Sequence, residues 1–384
     1  MKRLVIAAAF ILASFGLLFG QDKDDQDKKG DKGKKACFTR AAREEAERNA
    51  RVYHEPDPNY DPVLGYDTQT GPRPGSPPVD ANGLALPINC VADPKAKIGP
   101  GTLPKFYCAM EEPDETGDSV RFKIKPHFKG QEPDKRNGEV AGEFLSSRFS
   151  QALGFYAHDS WVADVTCPDC EKSLTKNFQG AKFTPFQPAA GVEVPLGEPI
   201  DVNCSGNESA DLAKSLNELG RDPARRAEID AFKLWLAFID HGDTKAANQR
   251  FACLKSRDNG DGTRSCEPGQ SIFFVADMGS TFGSSSASEK KATLDLWKGK
   301  DPIKVSGGKC YSTAKGIGDD QVSEQGRELL ARGLQRLLDA EASDGLITKV
   351  FRASRNAERD QPAEAWTAEF IRKAKTIINA RCSR

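Results

Sequence analysis

Two short strings hold the residues best suited to chemistry: His241-Gly-Asp243-Thr-Lys245-Ala-Ala-Asn248 and Val275-Ala-Asp277-Met-Gly279. The first follows a strongly apolar helical run and the second ends an apolar strand pattern, so Asp243, Asn248 and Asp277 fall at the ends of elements that must be buried. Two carboxylates and an amide in such places are hard oxygen donors able to share a divalent cation. Phosphoryl transfer asks for little more: an aligned nucleophile, charge neutralisation on the phosphates and a dry cleft. Taken singly, Asp243 and Asn248 serve equally well as turn caps, and Asp277 as a strand-end acceptor of backbone N–H groups.

The elements that must position these residues lie on both sides of them. A strand over 119–125 puts Val120, Phe122 and Ile124 on one face and Arg121, Lys123 and Lys125 on the other, a positive row whose simplest reading is a solvated face. A companion strand covers 105–110, across an acidic turn with Pro113 and Gly117. A helix over 139–153 carries Glu143 and stops at Gly154, and a strand over 160–165 follows. Further on, Asp222 as N-cap and Pro223 in the first turn open a helix with an apolar stripe of Ile229, Phe232, Leu236 and Ile239, whose end delivers the 241–248 loop. Strands over 251–254 and 272–276 pair around Asn259-Gly-Asp261-Gly262. That string reads as turns rather than a calcium loop, because Gly260 stands where a ligand belongs and no glutamate closes the frame. A polar run covers 284–288, and helices over 323–338, with Ser323 as N-cap, and over 363–380 supply apolar surface for a helical body.

In this order along the chain, His241-Gly-Asp243-x-Lys245-x-x-Asn248 resembles the catalytic loop of protein kinases, and Asp277-Met-Gly279 resembles their metal-binding Asp-Phe-Gly string. The resemblance implies an α+β, two-lobed protein-kinase-like fold, with a small β-rich N-lobe containing one helix and a larger, mainly helical C-lobe. It implies that Asp243 orients the proton of an attacking hydroxyl, that Lys245 lies near the transferred phosphate and that Asn248 and Asp277 hold Mg²⁺ or Mn²⁺. Lys125, fixed by an ion pair with Glu143, would engage the phosphates of ATP or another nucleotide, with Lys123 and Glu139 as alternates one strand repeat or one helical turn away. His241 takes a structural role in that family, that of a buried, hydrogen-bonded residue. The chain is also similar to exported bacterial proteins of unknown function that share Asp-x-Gly-x-Thr-Phe-Gly, here at 277–283. It lacks a Gly-x-Gly-x-x-Gly loop, for which Gly99-Pro-Gly101-Thr102 is a poor substitute, lacks Ala-Pro-Glu, and has Gly242 in place of arginine. These departures point to atypical relatives of the lipid-kinase-like or bacterial toxin-kinase-like branches.

Residues 1–20 read as a signal peptide, with Lys2 and Arg3 before an apolar run and a cut before Gln21, so the expected address is periplasmic or extracellular with no membrane span after signal removal. Ten cysteines agree with an oxidising compartment. A net charge of −1 with no basic concentration excludes nucleic acid as the main partner. Residues 21–83 form a charged tether and an irregular N-terminal wrap, with one exposed helix over 41–51; 84–200 would be the N-lobe and hinge region, and 201–384 the C-lobe. Asn203 and Asn207 are glycan acceptors where a cell attaches them. The expected partners are a nucleotide and an unidentified protein or small-molecule acceptor. Two other functions fit the same sequence: a non-catalytic kinase-like binding protein, and a thiol-disulfide enzyme working through Cys167-Pro-Asp-Cys170.

Overall fold

The computed structural model of the chain describes residues 37–73, 76–93, 105–113, 119–126, 138–170, 185–202, 209–283 and 292–383. The export signal, the charged tether, the Gly99-Pro-Gly101-Thr102 stretch, Asn203, Asn207 and the polar run 284–288 lie outside the described residues.

Strand β1 (Cys37–Phe38) leads into helix α1 (Arg40–Asn49), whose Thr39 cap accepts the Ala42 N–H at 3.0 Å. The exposed helix expected here is instead anchored, with Arg43 and Ala46 buried. The Arg43 guanidinium donates to the carbonyls of Ile200 and Ser209 at 3.1 Å each, which meets the condition for burying a charged donor. The Pro- and Gly-rich stretch that follows is irregular apart from the pair β2 (Tyr60–Asp61) and β3 (Tyr66–Asp67).

Five strands close a barrel: β4 (Ile88–Ala92), β5 (Phe106–Pro113), β6 (Ser119–Lys125), β7 (Asp159–Thr166) and β8 (Phe186–Val194), in the order β4-β5-β6-β8-β7. Neighbours run antiparallel except β4 and β7. Strand alternation sends Phe106, Cys108, Phe122, Ile124, Trp161, Val165 and Val192 into the barrel core. The opposite face of β6 is solvated only at Arg121, because Lys125 is 4% exposed and Lys123 is paired with an acid on β8. Helix α2 (Gly138–Ala152) joins β6 to β7, packs across β7 and β8 and is buried over nearly its full length.

Past the barrel, β9 (Glu198–Pro199) is followed by α3 (Leu212–Leu219) and α4 (Pro223–Phe238), the latter opened by the Asp222 carboxylate on the Ala224 N–H. Strands β10 (Gln249–Cys253) and β13 (Ser271–Val275) pair antiparallel, as the expected pairing of 251–254 with 272–276 has it, and β9 adds to the other edge of β10. Between them stands the hairpin β11 (Ser256–Asp258) and β12 (Thr263–Cys266), with β12 also paired to β1. Helix α5 (Leu294–Lys298) precedes a small sheet of β14 (Ile303–Ser306), β15 (Lys309–Ser312) and β16 (Gln321–Val322). The chain ends in α6 (Glu324–Asp344), capped by Ser323, then α7 (Leu346–Ala353) and α8 (Ala363–Asn379). Aromatics fill the space among these helices, with Trp297 and Trp366 stacked at 5.6 Å and Phe238 and Phe370 edge-to-face at 4.8 Å between ring centroids.

The architecture is therefore mixed α+β, with several sheets and, among the described residues, eight α-helices. No described helix is long and apolar enough to cross a membrane. Disulfides join Cys90 to Cys108, Cys167 to Cys170, Cys253 to Cys266 and Cys310 to Cys382, and Cys37 is also disulfide-bonded. The Cys253–Cys266 bond closes the base of the β11–β12 hairpin.

Candidate functional site

Lys125 is the last residue of β6, and its ammonium leaves the barrel toward two other elements. It bonds Glu143 on α2, stands 3.3 Å from Asp277 Oδ1 just beyond β13, and lies 3.8 Å from Glu139 Oε2. Glu139 and Glu143 are one helical turn apart and so share the face of α2 that meets the lysine. The alternates take different parts: Lys123 Nζ binds both carboxylate oxygens of Glu193 on β8, at 2.8 and 3.0 Å, and Glu139 is a second acid for Lys125.

One ammonium among three acids sets the protonation of the group. Burial opposes charge on Lys125, yet Asp277, Glu143 and Glu139 outweigh it and hold its pKa well above the usual lysine value. Burial likewise opposes ionisation of Asp277. Lys125, then Lys123, a hydrogen bond from Glu143 and the Gly279 N–H reverse that and keep the carboxylate below its usual range. Glu143 takes the remaining proton: burial pushes it up to about 8 against the pull of Lys125. A neutral Glu143 accepts from Lys125 and donates to Asp277, which is how one cation serves two neighbouring acids.

The 277–283 string is fastened to α2 and to the 241–248 loop. The Thr281 hydroxyl lies 2.8 Å from Ser146 Oγ, 2.8 Å from the Met278 carbonyl and 3.1 Å from the Gly142 carbonyl. Close approach of the two backbones requires glycine on both sides: a Cβ on Gly142 would meet the Gly279 carbonyl oxygen at 2.7 Å, and one on Gly279 would meet Glu139 Cβ at 2.9 Å. The Gly242 N–H donates to the Ser280 carbonyl at 2.9 Å, tying the first motif to the second.

Within the first motif, the Asn248 carbonyl accepts from Ala276 N at 2.7 Å and Asp277 N at 3.4 Å, which sets Asn248 beside Asp277. Asn248 Nδ2 donates to the Asp243 carbonyl at 3.4 Å. Asp243 and Lys245 pair with each other at 3.2 Å rather than with Asp277 or Lys125. His241 is buried as expected, and burial lowers its pKa, leaving it neutral despite Asp277 and Asp243. The hydrogen bond expected of it is not made, since neither ring nitrogen reaches a partner in hydrogen-bond geometry.

No family model matches the chain, and no curated protein matches it. Among solved structures, the chain is similar to the Helicobacter pylori proinflammatory kinase CtkA over 76% of this chain and 98% of that one, at 9% identity and a TM-score of 0.38.

Among the described residues no group of three or more His, Cys, Asp or Glu side chains is placed to hold a metal by itself. Asp277 and Asn248 offer one carboxylate and one amide oxygen. That donor set suits magnesium shared with phosphate oxygens, since this ion keeps few protein ligands.

Other residues of the site carried no motif. Glu193 sits singly in the Val-Glu-Val end of β8 and is 7% exposed at its side chain, with Lys123 overriding the effect of burial and lowering its pKa. His158 is pushed down to about 4 by burial, and its Nδ1 accepts the Leu196 N–H at 2.7 Å. Together with Glu143, Ser147 and Ser160 these two line a cavity of ≈ 20 Å³, room for about one water. The available signal was the alternation of charged and apolar residues in β6, which marks a face turned toward something polar. Cys167 and Cys170 are joined and fully buried, so no thiolate can reach the bond.

Proposed function

We propose that the chain is an exported, atypical kinase-like phosphotransferase, with the barrel and α2 as the smaller lobe and the remainder, from residue 201, as the larger. The observation that carries this reading is the junction of Lys125, Glu143 and Asp277, three residues from separate parts of the chain chosen for that role by their order in the sequence. Lys125 would engage donor phosphates, held by Glu143. Asn248 and Asp277 would hold Mg²⁺ or Mn²⁺, which supplies charge neutralisation on the phosphates when bound. Asp243 would accept the proton of an acceptor hydroxyl as its oxygen attacks phosphorus and the donor's leaving oxygen departs. Lys245 stands beside Asp243 to meet the transferred group.

A non-catalytic binding protein of the same fold is favoured by one detail, the engagement of Asp243 with Lys245. The thiol-disulfide reading loses support from the burial of Cys167 and Cys170.

Calorimetric titration of the full chain with ATP and other nucleotides in Mg²⁺ or Mn²⁺ tests the main reading. Heat of binding that disappears in Asp277→Ala and in the absence of metal is expected. No binding with any nucleotide and either metal would overturn it.

A further inference from the structure

A donor whose phosphates meet Lys125 and Asp277 must extend its remaining atoms along the neighbouring face of the barrel or across the strand below it. Strand alternation fixes what that face presents. With Phe106, Phe122, Ile124 and Val192 in the barrel core, the outward positions are Lys105 and Tyr107 ahead of and on β5, Lys123 and Lys125 on β6, and Glu193 on β8. Tyr107, Lys123 and Glu193 lie side by side in register. Lys123, two residues and about 7 Å along the strand from Lys125, is locked to both oxygens of Glu193, and the two side chains are only 13% and 7% exposed.

The ground next to Lys125 is thus occupied by a buried Lys–Glu pair with a tyrosine in register beside it. A nucleobase is a flat, largely apolar plate, and sites that bury such plates are lined mainly by apolar and aromatic side chains. Inserting one here would force apart a desolvated ion pair and leave both charges uncompensated, a large penalty with nothing in the base to offset it.

We infer, resting on the phosphoryl-transfer reading, that this site recognises its donor through a metal-bound linear polyphosphate chain and that the described barrel face beside Lys125 seats no nucleobase. The ligand is either inorganic polyphosphate or the phosphate end of a nucleotide whose base stays outside the cleft.

Competition calorimetry on the full chain in Mg²⁺ separates the possibilities with tripolyphosphate, ATP and adenosine as probes. Tripolyphosphate should bind within about threefold of ATP, and adenosine should compete with neither. ATP binding about tenfold or more tighter than tripolyphosphate, or competition by adenosine, would overturn the inference while leaving the phosphoryl-transfer reading intact, and would assign Tyr107 to holding the base. Failure of both ATP and tripolyphosphate to bind would remove both. The double substitution Lys123→Met/Glu193→Leu replaces the ion pair with apolar side chains and should create a preference for ATP over tripolyphosphate of about fivefold. An unchanged ratio in a folded variant would count against the pair as the excluding element. If that variant does not fold, the competition on the unaltered chain still decides.

Discussion

The ammonium of Lys125 lies 3.3 Å from Asp277 Oδ1, joining a barrel strand to the segment after β13 across 152 residues of chain. The lysine side chain is 5% exposed and the aspartate 37%, so the contact is buried on the lysine's side and open to solvent on the aspartate's. It links a feature read as a strand face to one read as a metal-binding string.

Removing the lysine should therefore cost stability as well as binding. Lys125→Met is expected to lower the unfolding free energy by about 3 kcal/mol, the low end for a broken buried pair because Asp277 keeps contact with solvent. Lys125→Met/Asp277→Asn should recover part of that loss, since the aspartate charge left by the lysine is then removed as well. Urea unfolding of the three proteins checks both points. A double variant no more stable than Lys125→Met would show that Asp277 does not depend on the lysine.

Glu143 gives the fold a pH dependence of definite sign. Its pKa rises from the ordinary 4.5 to about 8 on burial, so the native state holds a proton that the unfolded chain has released. The associated stability is complete below pH 4.5, declines as the pH rises, and levels off above about 8. Unfolding free energies across this range should fall less steeply in Glu143→Gln. Parallel profiles for the two proteins would place the proton elsewhere.

Asp243→Ala separates chemistry from binding. Asp243 is partly exposed and pairs only with the neighbouring Lys245, so the fold should lose no more than about 0.5 kcal/mol. Phosphate release or autophosphorylation in Mg²⁺ should drop on the order of 10²–10⁴-fold with the donor's dissociation constant unchanged. Equal rates in both proteins would favour the non-catalytic reading.

The Cys310–Cys382 bond closes a 72-residue separation and pins the C-terminus, after α8, to β15. Cys310→Ala/Cys382→Ala should reduce stability by about 2–5 kcal/mol, measured by denaturant midpoint. Glutathione at low millimolar concentration should leave the buried Cys167–Cys170 bond intact in the native protein, by thiol counting.

Much of this was legible where local chemistry decides. Asp222 and Ser323 cap their helices because a short polar side chain ahead of an apolar stripe has few other uses, and the hairpin between Cys253 and Cys266 follows from its Asn-Gly and Asp-Gly turns. Alternation put Lys123 and Lys125 on one strand face, and the kinase resemblance picked Lys125 and Glu143 over Lys123 and Glu139. Partners distant in sequence and without a motif were not legible. Arg43 reads as a surface charge until the carbonyls of Ile200 and Ser209 meet it, and Lys123 reads the same way until Glu193 arrives 70 residues later. The sheet of β14, β15 and β16 is built from strands too short and too rich in Lys and Ser to show a pattern, and α7 follows α6 so closely that its stripe merges with its neighbour's.

The Thr281 knot, with the Gly142–Gly279 approach beside it, leaves α2 no slack against the segment that carries Asp277. A helix fastened in this way moves only if that segment moves with it, so α2 and residues 277–283 should exchange their amide hydrogens as one unit.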